Sequence, residues 1–127
     1  MAARIARHRA DRGPRWRTVE TPTELPEAIE REDAARRIIL VDCLTLWLSN
    51  LMFAEADLGR RTQNLLNSLQ GRRGSLLVVS NEVGAGIVPE NELARRFRDE
   101  AGRLNQVVAQ ASDEVFLVAA GLTLRMK

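Results

Sequence analysis

His8 is the only histidine in this chain of 127 residues, and it lies among Arg7, Arg9 and Arg12. An imidazole nitrogen can attack a phosphorus centre, and a covalent intermediate divides a group transfer into two easier steps. The neighbouring guanidinium groups would bind phosphate oxygens and stabilise the charge that develops during transfer. The alternative is an ordinary surface histidine on a basic helix, and residue chemistry by itself favours that alternative.

Two carboxylates stand at the predicted ends of strands. Asp42 follows the apolar residues 38–41, where it could hold the magnesium of a nucleotide directly or through water, or could cap the next helix. Glu20 ends a short predicted strand, where it could accept two hydrogen bonds from a guanine edge or from ribose hydroxyls. A solvated acid at a strand end is the alternative for Glu20.

A third polar cluster follows the apolar residues 76–79. The chain continues through Asn81 and Glu82, turns at Gly84 and Gly86, and enters a long predicted helix. In open α/β sheets, ligands bind outside the carboxyl ends of the strands, as this arrangement would allow. Turn formation is the alternative for Asn81 and Glu82. The outer face of the helix carries arginines that could contact a ligand or simply be solvated: Arg95, Arg98 and Arg103.

The hydrophobic pattern predicts the elements that position these groups. Helices are expected over residues 1–10, 23–32, 44–53, 58–69 and 93–108, and strands over residues 16–20, 38–41, 75–80, 115–118 and 122–124. The continuous apolar strands 38–41 and 115–118 are expected to be buried on both faces. Helix 44–53 is apolar nearly all round and is therefore expected to be buried. This alternation predicts a single α/β domain, with a mostly parallel sheet and helices on both faces.

Composition narrows the function classes. The net charge is +2, but six arginines and one aspartate within residues 1–17 give that segment +5, so the rest carries −3. A basic arm on an acidic body favours an anionic ligand such as phosphate, with nucleic-acid contact or organelle targeting as alternatives. The scarcity of aromatic residues argues against base stacking on a nucleic acid. No apolar run approaches the length of a membrane span.

The cysteine and lysine counts give two further expectations. One cysteine, Cys43, excludes an internal disulfide and fits a reducing cytoplasm; we expect its thiol to be packed and inert. Both tryptophans, Trp16 and Trp47, are expected in the core. The only lysine is Lys127, so these residues contain no glycine-lysine-serine phosphate loop.

Four segments resemble a known family, the bifunctional adenosylcobinamide kinase / adenosylcobinamide-phosphate guanylyltransferases of cobalamin biosynthesis. They are RIARHRADRGPRW with WRTVE, ILVDCLTLWLSNL, VVSNEVGAGIVPENELARRFRDEAGRLNQ and DEVFLVAAGLTLRMK, and together they cover nearly the whole chain. The resemblance implies a RecA-like, P-loop NTPase-like fold, a homotrimer and two reactions. One reaction phosphorylates adenosylcobinamide with ATP or GTP; the other transfers GMP from GTP to the resulting phosphate.

The resemblance also implies roles for individual residues. The position of His8 matches the family histidine that carries GMP, which reverses the interpretation from residue chemistry alone. The residues implied to contact the guanine nucleotide are Arg9, Ala10, Asp11, Arg12, Glu20 and Asp42, with Asp42 also a possible ligand of Mg²⁺. The glycine turn at Gly84 and Gly86 is a candidate corrinoid or subunit contact.

The chain departs from the family pattern at its start. Family members begin with a strand and a GGxRSGKS-type phosphate loop, which this sequence lacks. The loss would remove a phosphate cradle and expose strand edges, so we expect the 127-residue polypeptide alone to be inactive and prone to aggregate. Two other functions stay open at this point. One is a P-loop nucleotide-binding protein without a cobamide role, and the other is a non-enzymatic phosphate- or nucleic-acid-binding module on the arginine arm.

Overall fold

The computed structural model describes residues 13–127, which form an α/β arrangement of helices and short strands. The predicted helix over residues 1–10 lies outside the described residues. In chain order the elements are α1 (Leu25–Glu32), β1 (Ile38–Asp42), α2 (Leu44–Phe53), α3 (Leu58–Gln70), β2 (Ser75–Val79), α4 (Glu92–Ala111), β3 (Phe116–Ala119) and β4 (Leu122–Arg125).

The strands pair in two separate ways. β1 and β2 are parallel, in a register that runs from Ile38 opposite Ser75 to Asp42 opposite Val79. This confirms the predicted parallel pairing and brings the carboxyl ends of both strands to one edge. β3 and β4 instead form an antiparallel hairpin, because the chain reverses directly at Ala120 and Gly121, which have φ of 52° and 75°. So short a connection cannot lead to a parallel neighbour.

The core lies between one face of the β1–β2 pair and the helices. Side chains alternate along a strand, so Ile39 and Val41 share the inner face with Leu76 and Val78. The fully buried cluster against which they pack is contributed mainly by the helices: Leu25, Ile29, Leu44, Trp47, Leu48, Leu51, Leu65, Leu69, Ala101, Leu104 and Val108. As predicted, one face of the last helix supplies three members of this cluster.

The opposite face of the β1–β2 pair is exposed. Ile38 and Leu40 are 57% and 39% accessible, and Leu77 and Val79 on β2 are similarly exposed. The prediction that strand 38–41 is buried on both faces is therefore wrong, since the core cluster covers only the inner side. The same prediction fails for strand 115–118: every residue of β3 is exposed.

The structure also differs from the sequence-based predictions for the strand at residues 16–20, for the start of α1 and for the burial of α2. Residues 16–20 form no strand, because nothing within the described residues pairs with them in a ladder. α1 begins at Leu25 rather than at residue 23, with a proline in its first turn. α2 has the predicted bounds, but Leu46 and Phe53 are exposed, so the helix is not buried all round.

Candidate functional site

Asp42 is the last residue of β1, and its side chain is exposed at the carboxyl end of the strand pair. The next residue, Cys43, occupies the N-cap position of α2 and makes no side-chain capping bond. The N-cap position of this helix therefore belongs to Cys43 and not to Asp42. The peptide bond between Asp42 and Cys43 is cis.

A cavity of about 780 Å³ lies beside Asp42. One wall is the irregular segment 15–22, and the other is formed by β1 and the start of α2. Glu20 and Asp42 both line this cavity, although 22 positions separate them in the sequence. The volume falls within the range of ordinary small-molecule sites.

The two tryptophans have different environments. Trp47 is 3% exposed and belongs to the core, as predicted. Trp16 is 45% exposed and lies on the cavity wall formed by residues 15–22, so the expectation that it is a core residue is wrong. The difference arises because Trp47 is on a helix that faces the core, whereas residues 16–20 lie outside any regular element.

Side chains from α2 and α3 hold the end of the wall formed by residues 15–22 in place. The Trp47 indole nitrogen and an Arg61 guanidinium nitrogen both donate to the carbonyl oxygen of Thr23, at 2.9 and 2.6 Å. The Asn50 amide donates to the carbonyl oxygen of Pro22 at 3.1 Å. None of these contacts is evident in the sequence, because each joins residues at least 24 positions apart.

Arg61 also forms the best-defined ion pair near this wall. Its two terminal nitrogens donate to the two carboxylate oxygens of Glu27 at 2.6 and 2.9 Å. The hydrogen bond from Arg61 holds the pKa of Glu27 below its usual value, and the same bond raises the pKa of Arg61. A hydrogen bond from the Thr23 hydroxyl lowers the pKa of Glu24. These groups therefore stay charged in neutral solution.

Cationic side chains also line the cavity. Arg17 pairs with Glu32, and Arg37 donates to the backbone carbonyl of Glu32 at 2.7 Å. All three residues line the cavity, together with Arg15. An anionic ligand could therefore meet guanidinium groups within the same concavity that holds the two acids.

A network of uncharged polar groups lies where β1 and β2 end. The Asn81 amide nitrogen donates to the Thr45 hydroxyl at 2.7 Å, and the Cys43 sulfur is 3.1 Å from that hydroxyl. Ser80 and Asn81 both bond to the side chain of Asn105 on α4. The sequence analysis missed Thr45, Ser80 and Asn105, whose only signal was a polar side chain close to a strand end or, for Asn105, within a helix.

Other polar residues of this region have local roles. The Glu82 carboxylate accepts from the Gly84 backbone nitrogen at 2.7 Å, which confirms the turn-forming alternative for Glu82. The Arg95 guanidinium donates to the carbonyl oxygens of Pro89 and Glu90, so it braces the loop before α4.

The other two arginines of α4 differ from each other. Arg103 pairs with Glu100 one turn away on the surface, as a solvated face would require. Arg98 keeps one guanidinium nitrogen buried with no hydrogen-bond partner among the described residues.

Five of the predicted site residues lie outside the described residues: His8, Arg9, Ala10, Asp11 and Arg12. Their roles stay predictions. The structure brings together the remaining two, Glu20 and Asp42, on one cavity.

The sequence predicts that Asp42 could help to hold Mg²⁺ together with a nucleotide, and its surroundings can be compared with that expectation. Within residues 13–127, no group of three or more His, Cys, Asp or Glu side chains could hold a metal ion. Mg²⁺ usually takes one or two carboxylates and completes its shell with substrate phosphates and water. Asp42, beside a cavity that can admit phosphates, fits that mode of binding.

No helix within residues 13–127 has the length and apolarity to cross a bilayer.

Comparison with known proteins gives a consistent match over the chain. A family model described as cobinamide kinase / cobinamide phosphate guanyltransferase matches residues 1–126. The chain is 44% identical over 129 residues to the bifunctional adenosylcobalamin biosynthesis protein CobP of Pseudomonas aeruginosa, covering 100% of this chain and 75% of the relative. It is 39% and 40% identical over 142 residues to the corresponding CobU proteins of Escherichia coli and Salmonella typhimurium, covering 78% of each.

Proposed function

Since the chain belongs to the cobinamide kinase / cobinamide phosphate guanyltransferase family of cobalamin biosynthesis, we propose that it contributes to both reactions of that family. The first phosphorylates adenosylcobinamide with ATP or GTP. The second joins GMP, taken from GTP, to the resulting phosphate and yields adenosylcobinamide-GDP. We propose that the fold is a P-loop NTPase-like α/β fold of the RecA type, which the parallel pair β1–β2 supports.

The guanylyl transfer proceeds in two displacements. In the first, an imidazole nitrogen of His8 attacks the α-phosphorus of GTP, and the bond from the α-phosphorus to the bridging oxygen breaks. Pyrophosphate leaves with the electron pair of that bond. In the second, a phosphate oxygen of adenosylcobinamide phosphate attacks the same phosphorus, and the bond to the histidine nitrogen breaks. The imidazole is regenerated, as covalent catalysis requires.

One observation carries this proposal: Glu20 and Asp42 line the same cavity. By resemblance, both positions match family positions that contact the guanine nucleotide, yet Asp42 ends β1 whereas Glu20 lies outside any regular element. In the proposed complex, Glu20 accepts hydrogen bonds from the guanine edge or the ribose hydroxyls. Asp42 faces the phosphates and their Mg²⁺. The ion would neutralise charge on the phosphate oxygens.

The basic segment completes the proposed site. Arg9 and Arg12 bind phosphate oxygens through guanidinium donors, while Ala10 and Asp11 contact the nucleotide from the same stretch of chain. Within the described residues, Arg15 and Arg17 also line the cavity, where Arg17 pairs with Glu32.

Labelling with GTP that carries radioactive phosphorus at the α position tests the covalent step. The assay uses the 127-residue chain and, in parallel, an extended chain in which a strand and a GGxRSGKS-type phosphate loop, as the family resemblance implies, precede residue 1. We expect the extended chain to acquire GMP on His8 through an acid-labile, base-stable bond, and the His8→Ala variant to acquire none. Label on a different residue, or GTP binding without any label, would reject the mechanism and favour a nucleotide-binding protein without a cobamide role.

A second measurement tests the role of Asp42. Asp42→Asn keeps the shape of the side chain but removes its charge, so we expect the Mg²⁺ concentration for half-maximal labelling to rise by more than about tenfold. Asp99→Asn is the control, because Asp99 is exposed on α4 and does not line the cavity. Equal Mg²⁺ dependence in the two variants would remove Asp42 from the metal site.

The proposed assembly is a homotrimer in the cytoplasm. Sedimentation equilibrium of the extended chain tests the assembly, and a monomer at micromolar concentration would reject it. Expression with a fluorescent tag in a cobalamin-producing bacterium tests the compartment.

A further inference from the structure

Asn105 uses both ends of its side-chain amide to hold the exit from β2. Its Oδ1 accepts a hydrogen bond from the Ser80 hydroxyl at 2.6 Å, and its Nδ2 donates to the backbone carbonyl of Asn81 at 3.2 Å. Asn105 lies in the interior of a 20-residue helix, where asparagine is a poor helix former. Helix propensity therefore does not account for the residue, whereas the two bonds do.

Asn81 carries the connection across to the end of β1. Its Nδ2 donates to the Thr45 hydroxyl at 2.7 Å, and Thr45 is only 7% exposed. The Thr45 hydroxyl in turn lies 3.1 Å from the sulfur of Cys43, which directly follows Asp42. An unbroken series of contacts thus joins α4 to the residue next to the predicted metal-binding carboxylate.

Each member of this series requires a particular group at its place. The Asn81 carbonyl needs a donor, and an amide nitrogen supplies it while a carboxylate oxygen cannot. The buried member of the series is Thr45, so a shift of Asn81 that takes its donor away from the Thr45 hydroxyl costs more than the bond contributed. Bonds in such a series also reinforce one another.

We propose that Asn105 is a positioning residue that fixes the Asp42–Cys43 segment at the mouth of the cavity through Asn81 and Thr45. The inference deepens the proposed function and depends on it for the reaction that is measured. Asn105 touches neither nucleotide nor metal in this proposal. It sets the orientation from which the Asp42 carboxylate meets Mg²⁺ and the phosphates.

The test compares two variants with the same chemical change. Asn105→Asp keeps side-chain size and the acceptor for Ser80 but replaces the donor to the Asn81 carbonyl with an oxygen. Asn67→Asp is the control, since Asn67 is also on a helix, α3, where its Oδ1 accepts from the exposed Gln63. In the extended chain, assayed well below each Tm, we expect Asn105→Asp to raise the Mg²⁺ requirement of GMP labelling about tenfold. Asn67→Asp should match the parent.

Thr45 provides an independent check on the path. Thr45→Val removes the hydroxyl that Asn81 uses while keeping the shape, and should reproduce the effect of Asn105→Asp. Thr45→Ser retains the hydroxyl and should restore the parental Mg²⁺ dependence. If Asn105→Asp lowers Tm but leaves the Mg²⁺ dependence unchanged, Asn105 is only structural and the proposal is wrong.

Hydrogen exchange separates this proposal from the proposed function. Amides in residues 42–45 should exchange faster in Asn105→Asp than in Asn67→Asp, with or without nucleotide. If the unsubstituted extended chain transfers no GMP, the proposed function fails. Faster amide exchange in residues 42–45 of Asn105→Asp would still support positioning by Asn105. Unchanged exchange in residues 42–45 overturns the positioning role even if the parent is active.

Discussion

The indole nitrogen of Trp47 donates to the carbonyl oxygen of Thr23 at 2.9 Å, which ties the wall that carries Glu20 to the helix that follows Asp42. Trp47 thus serves two purposes with one side chain. Its ring fills the core and its polar nitrogen fixes the relative placement of the two walls of the cavity. Buried tryptophans commonly combine these roles, because their nitrogen needs a partner.

The first prediction concerns that bond. Trp47→Phe removes the donor and some ring volume, so the free energy of unfolding should fall by about 1–3 kcal/mol. Affinity for GTP should also fall, because the wall that carries Glu20 is less constrained. Urea unfolding and calorimetric GTP binding measure the two effects. Trp16→Phe is the control for stability. Because Trp16 is 45% exposed, this substitution should change the free energy of unfolding by less than about 0.5 kcal/mol.

The second prediction concerns the ion pair between Arg61 and Glu27. The Arg61 side chain is only 14% exposed and makes two bonds to the carboxylate, so a double-mutant cycle with alanine should give a coupling of about 1 kcal/mol. The surface pair Arg103 and Glu100, also at 2.6 Å, should give no more than about 0.5 kcal/mol. Equal coupling energies for the two pairs would show that burial of Arg61 does not strengthen its interaction with Glu27.

Arg61 should also not be replaceable by lysine. The guanidinium reaches both Glu27 and the carbonyl of Thr23, whereas an ammonium is a single point of charge. Arg61→Lys should therefore recover little of the stability lost in Arg61→Ala. Full recovery in urea unfolding would mean that charge alone, without the planar geometry, accounts for the contribution.

The third prediction is a pH dependence centred on Asp33. Its carboxylate accepts from the backbone nitrogens of Gly74 and Arg73 at 2.8 and 2.7 Å, and these bonds hold the pKa of Asp33 below its usual value. A lowered pKa in the folded state means that the stabilisation is complete above the unfolded pKa of about 4. It is lost as the pH falls through the folded pKa.

Asp33→Asn tests this dependence. The stability difference between parent and variant should be constant from neutral pH down to about pH 5 and should shrink steadily below about pH 4. Urea unfolding at a series of pH values measures it. Asp99→Asn, which changes an exposed carboxylate, should show no such trend. A difference for Asp33→Asn that persists unchanged in acid would contradict the assignment.

The fourth prediction concerns the exposed face of the β1–β2 pair. Leu40 and Leu77 lie opposite each other there, beside Ile38 and Val79, and form an apolar surface that favours association. Leu77→Thr should reduce self-association of the 127-residue chain in sedimentation velocity, because threonine suits a strand and is polar. Leu76→Thr, on the inner face, should instead destabilise the fold. If Leu77→Thr leaves association unchanged, the surface that mediates it is elsewhere.

The sequence by itself determined the order of the elements from α1 to β4, the parallel pairing of β1 with β2, and the family. Periodic apolar residues such as Ala101, Leu104 and Val108 specify a helix face locally, and the run before Asp42 specifies a strand in the same way. The long motif around Asn81 identifies the family without any coordinates.

Only the tertiary structure decided which residues meet and which faces are covered. An apolar strand such as residues 38–41 is compatible with one or two covered faces, and the packing of the helices on the inner side leaves Leu40 exposed. The contacts of Asn105 with Ser80 and of Trp47 with Thr23 join residues more than 20 positions apart. Sequence patterns report local periodicity, whereas such contacts depend on how separate elements pack, so no local pattern could have revealed them.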